Sequence, residues 1–103
     1  MIKMDTKTTV KIELVGVLRK TYGKEAEEIA VKGKTAKIRD IIRKLAENSS
    51  QEFKRALIDP ELQDPRPNTL ILVNGREISV LEGLETPVKN GDKIVLISVS
   101  HGG

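Results

Sequence analysis

The 103-residue sequence contains no cysteine and no tryptophan, one histidine, one tyrosine and one phenylalanine. Without cysteine there is no thiol nucleophile, disulfide framework or zinc finger, and one histidine cannot build a two-histidine metal site. Two aromatics leave no stacking platform of the kind single-stranded nucleic-acid modules use. No apolar run approaches the roughly 20 residues of a membrane helix. The lysine-bearing N-terminus has no apolar stretch behind it and so does not read as a signal peptide. The glycines never fall in a phosphate-cradling spacing such as G-x-G-x-x-G. A soluble cytoplasmic protein is the expectation.

What is present is aliphatic. Leu, Ile and Val supply 30 of the 103 residues, well above the roughly 20% below which disorder sets in. The length suits one domain. Eighteen basic residues stand against 15 acidic ones, a net of +3. So small an excess favours solubility more than nucleic-acid binding.

Residues 1–9 are polar and aperiodic and read as a flexible arm ahead of a domain spanning 10–99. From Val10 a two-residue period places Val10, Ile12 and Leu14 on one face, the mark of a half-buried strand. Val15 and Val17 break the pattern, putting apolar groups on the face that should be wet. That reads either as a locally covered strand or as a partner surface. A turn over 21–24 and a second strand over 25–31 suggest an antiparallel hairpin. Thr35 is placed to cap a helix whose apolar residues, Ile38, Ile41, Ile42 and Leu45, form one stripe. The opposite, basic face is ordinarily solvated, with an RNA or acidic-partner contact as the alternative.

A shorter helix is expected over 51–58, with Phe53, Leu57 and Ile58 inward. Pro60, Pro65 and Pro67 make residues 59–68 a surface loop. Residues 69–73 read as an apolar strand, Asn74-Gly75 as a tight hairpin turn, and 76–79 as the return strand. Residues 80–87 read as a 3₁₀ turn beneath the sheet. After a second turn at Asn90-Gly91, residues 93–99 form a last strand. It is apolar on both faces and therefore central. The expectation is an α+β, β-grasp (ubiquitin-like) fold, a mixed sheet packed on one main helix, with the last strand parallel to the first.

The side chains offer little catalysis. His101 near Ser98 and Ser100 lacks an acidic orienter, and Asp92 reads as a turn residue. What remains is the dipeptide Gly102-Gly103, which arises at a chain end by chance about 0.5% of the time. Lacking Cβ atoms, it can pass a narrow channel and present a carboxylate to another protein. Residues 100–103, Ser100 and His101 included, are expected to be an extended reactive tail. A carboxylate is a poor electrophile, but an acyl-adenylate has a stable leaving group that a sulfur nucleophile can displace.

Over residues 66–75, 81–86, 90–92 and 97–103, ending Ile97-Ser98-Val99-Ser100-His101-Gly102-Gly103, the chain resembles the ubiquitin-related modifiers. It is also similar to their sister family, the sulfur-carrier small subunit of molybdopterin synthase. That subunit more often has prolines before its Gly-Gly, and none stand here. The resemblance implies a carrier that is not itself an enzyme and binds no cofactor or metal. A ubiquitin-activating-type enzyme, using ATP and magnesium, would adenylate Gly103. A sulfurtransferase would supply sulfur, and the thiocarboxylate would serve a tRNA thiolase, or the carboxyl would join target lysines. The alternative partner is a molybdopterin synthase large subunit. The resemblance further implies that Val15, Leu72 and Ile97 lie on the sheet face that docks the partner, with Ile94 and Leu96 in the core. A more remote reading is an RNA- or protein-binding β-grasp module with an incidental Gly-Gly.

Overall fold

The computed structural model describes residues 6–99. Its strands are β1 (Lys7–Val15), β2 (Ala26–Lys32), β3 (Thr35–Lys37), β4 (Thr69–Val73), β5 (Arg76–Glu77), β6 (Pro87–Lys89) and β7 (Lys93–Ser98). Its α-helices are α1 (Val17–Tyr22), α2 (Ile38–Glu47) and α3 (Gln51–Leu57). Five strands form one sheet in the order β2-β1-β7-β4-β5, and β3 and β6 make a small second ladder. The last strand is central as expected, parallel to β1 and antiparallel to β4. The architecture is the α+β β-grasp.

One face of the sheet is closed by the helices. Val10, Ile12 and Leu14 of β1, Ile71 of β4, and Ile94 and Leu96 of β7 meet the α2 stripe of Ile38, Ile41, Ile42 and Leu45. All ten are buried. The chain's two aromatics meet at the edge of this core, where the Tyr22 and Phe53 rings lie 4.8 Å apart between centroids. Burial and the hydrogen bond it donates to Glu27 push the Tyr22 phenol up to about 12.

The second hairpin turn behaves as its sequence dictates. Asn74 and Gly75 both adopt positive φ, 49° and 86°, the pairing a two-residue turn requires. Their side of the sheet is tied further by Asn74, which donates to the Asp92 carboxylate and accepts from the Lys93 N–H. Asp92 also accepts from the Lys89 N–H, so it is a turn residue, as read.

Five expectations need correction. The arm does not extend to residue 9, because β1 begins at Lys7 and Thr8 is buried, its hydroxyl donating to the Gly33 carbonyl. A polar residue satisfied this way sits in a strand as well as an apolar one. Residues 17–22 are a helix, not strand and turn. Only Leu18 is fully buried in it, too few turns to register as a period. Thr35 does not cap α2. It pairs with Lys89 in the small ladder, while Asp40 accepts from the Lys37 N–H and the Thr86 carbonyl accepts from the Ile38 N–H. The return strand is only Arg76–Glu77, since the chain turns into a 3₁₀ helix that buries Ile78. Residues 80–87 are not one 3₁₀ turn but a second short 3₁₀ helix, Gly83–Glu85, followed by β6. Residues 100–103 lie outside the described residues.

Candidate functional site

The strands whose inner side chains build the core carry a second set pointing the other way. Along β1, β7 and β4, register places Val15 opposite Ile97, and Ile97 opposite Leu70. The next row on that face is Glu13, Val95 and Leu72, and Leu72 also faces Glu77 of β5. Five aliphatic residues, Val15, Leu70, Leu72, Val95 and Ile97, therefore share one face that no described element covers. Val15 remains 42% exposed and Leu70 36%. Val17 and Val99, both exposed, stand at the end of the patch where the chain leaves β7. At the opposite end lie Lys11 and Lys93, paired in register. The Lys93 ammonium is 3.1 Å from the Glu13 carboxylate. The result is an apolar patch with a charged border, the pattern of an interaction surface.

All three residues expected on this face are there. Val15 and Ile97 are direct cross-strand partners, and Leu72 lies one row away across β7. Leu70 and Val95 belong with them and were not singled out. Their signal was present: in a strand apolar on both faces, alternate residues from Leu70 and from Val95 must share the face of Leu72 and Ile97. Ile94 and Leu96 are in the core, as expected.

The patch ends where the C-terminal segment begins. The Val99 N–H donates to the Asn68 carbonyl at 2.9 Å. Ser100, His101, Gly102 and Gly103 lie outside the described residues.

On the helix side, Arg39, Ile42, Arg43, Lys54 and Leu84 help to line a groove of about 350 Å³. Glu85, next in the chain to Leu84, holds both Lys37 and Arg39, and these two cations keep its carboxyl below the usual carboxylate range. Among the described residues, no three His, Asp or Glu side chains group as a metal site would require. No helix of the described residues is long and apolar enough to cross a membrane.

A family model for Urm1, ubiquitin related modifier, matches residues 9–103. The chain belongs to the ubiquitin related modifier family. Members are small ubiquitin-like carriers and modifiers. Among solved structures, the chain is similar to the small archaeal modifier protein 1 from Methanosarcina acetivorans. The two share 27% identity and a TM-score of 0.72, over 94% of this chain and 98% of that one. It is also similar to Urm1 from Trypanosoma brucei, at 24% identity and a TM-score of 0.75, covering 97% and 100% of the two chains. A putative molybdopterin converting factor, subunit 1, from Pyrococcus furiosus shares the fold at 23% identity and a TM-score of 0.68, over 88% and 97%. No curated protein sequence matches the chain. The family match runs through residue 103 and so takes in Gly102 and Gly103.

Proposed function

We propose that this ubiquitin-like carrier reacts at the Gly103 carboxylate, in the cytoplasm, and binds no cofactor of its own. The observation that carries the reading is the family match through the terminal Gly-Gly, joined to a patch that ends at the root of the tail. An adenylating enzyme of the ubiquitin-activating type grips Val15, Leu72 and Ile97, together with Leu70 and Val95. It supplies ATP and magnesium. A Gly103 carboxylate oxygen attacks the α-phosphorus and pyrophosphate leaves. The outer sulfur of a sulfurtransferase-derived persulfide then attacks the acyl carbon and AMP leaves, carrying away that oxygen. A second thiol of the partner attacks the enzyme-side sulfur of the resulting acyl disulfide, closing a disulfide on the partner and releasing the thiocarboxylate.

The tail sets a limit on this enzyme. Four extended residues beyond Val99 span at most about 14 Å, so patch and nucleotide site must lie within that reach of each other. Such a thiocarboxylate can donate sulfur to a tRNA-thiolating enzyme, and the activated carboxyl can instead acylate a target lysine. The likeness to the putative molybdopterin converting factor supports a second reading, delivery to a molybdopterin synthase large subunit. The family match favours the first.

The test is intact mass spectrometry after incubation with an activating enzyme, ATP and a sulfur donor. Exchange of one oxygen for sulfur, abolished by deleting Gly103, is the expected result. Absence of both adenylate and thiocarboxylate would end the proposal.

A further inference from the structure

The hydroxyl of Ser98 sits at a junction the carrier chemistry has not used. It accepts the Val17 N–H at 2.9 Å and lies 3.4 Å from the Val15 carbonyl, to which it points its own proton. Val17 is the first residue of α1, and its N–H is one of the amides a helix leaves without an internal partner. Gly16, in the N-cap position, has no side chain to satisfy it. Ser98, 81 residues further along the chain, does so instead.

Gly16 is required for this arrangement. Its φ is +74°, a conformation most side chains avoid, and a Cβ there would overlap the Ser98 Oγ. On the other flank, the Val99 N–H is held by the Asn68 carbonyl. Asn68 is fixed in turn, its N–H donating to Pro65 and its side-chain amide to the Arg55 carbonyl. The chain leaving β7 is thus gripped on both sides at two successive residues.

We propose that Ser98 is a positioning residue for the C-terminal tail, clamping the tail's root to the Gly16–Val17 turn beside the partner patch. The proposal rests on the carrier reading. Val15 and Val17 flank Gly16 in sequence, so the same hydroxyl links the docking patch to the strand that carries the tail. An enzyme that grips the patch then also fixes where the tail starts. Small misplacements of a reacting group cost rate steeply. The clamp therefore acts on the chemical step more than on docking.

The experiment uses the full chain with the activating enzyme and follows ATP–pyrophosphate exchange for wild type, Ser98→Ala and Ser98→Thr. Amide hydrogen exchange at Val17 is measured alongside. Ser98→Ala is expected to lower kcat about tenfold with KM nearly unchanged, and to speed exchange at Val17. Ser98→Thr, which keeps a hydroxyl, restores most of both. Gly16→Ala, which crowds the hydroxyl, acts in the same direction as Ser98→Ala. An unchanged kcat, a rise in KM alone, or unchanged exchange at Val17 in Ser98→Ala each overturns the proposal while leaving the carrier reading intact. A wild-type chain that is never activated overturns both.

Discussion

The two faces of the central strands are made from the same kinds of residue and meet opposite fates. On β7, Ile94 and Leu96 are fully buried under the helices, while Val95 and Ile97, which alternate with them, are only half covered. On β4, Ile71 is buried while Leu70 is exposed. The inner set supports the fold. The outer set gains less from the isolated domain, and this aliphatic patch left in water is the feature on which the proposed partner surface rests. Residue type alone does not separate core from interface; the element lying over it does.

Substitutions on the two faces should separate stability from activation. The largest effect is expected from the inner face. Leu96→Ala removes a buried side chain from the middle of the core and should cost about 2–5 kcal/mol of stability, read from denaturant unfolding. If the loss were no greater than that of Val95→Ala, the distinction between the faces would fail.

The outer face should show the reverse. Ile97→Glu is expected to cost less stability than Leu96→Ala, because the Ile97 side chain is already half exposed while Leu96 is fully buried. It should weaken binding to the activating enzyme by about 2 kcal/mol or more, the loss typical of a central interface residue. Titration calorimetry checks this, and wild-type affinity in the variant would remove Ile97 from the interface.

The smallest effect lies at the margin of the core, and pH reads it. Tyr22 is the only tyrosine, so phenolate absorbance reports it alone. Its folded value, about 12 against an ordinary 10.0, means the unfolded chain gives up the phenol proton first. The stability tied to this group is complete below pH 10.0 and drains away as pH climbs toward about 12. Absorbance should titrate near 12, and Glu27→Gln should bring the midpoint down by removing the carboxylate's charge while leaving the burial. A midpoint at 10 in the folded protein would show that the phenol is freely solvated.

Much of this was legible in the chain. The α2 stripe, the all-apolar 69–73 strand and the Asn74-Gly75 turn each carry a local signal strong enough to stand without tertiary context. The patch residues Val15, Leu72 and Ile97 were reached through resemblance, and alternation along β4 and β7 extends the set to Leu70 and Val95. What stayed hidden was short or satisfied from a distance. Helix α1 shows no period because it presents one buried residue, Leu18. Strands β3 and β6 are three residues each and find their pairing only in space. Thr8 reads as polar arm until the Gly33 carbonyl accepts its hydroxyl.

By itself, then, the sequence determined that an aliphatic α+β fold forms, that there is no thiol and no pair of histidines to react or bind a metal, and that a Gly-Gly dipeptide follows a strand apolar on both faces. These are properties of composition and of neighbours a few residues apart, where periodicity and turn chemistry operate. The tertiary structure decided which apolar face is covered, and it brought Gly16 and Ser98 together from opposite ends of the chain. Pairings between residues so far apart leave no local trace, because each partner's conformation makes sense only once the other is in place.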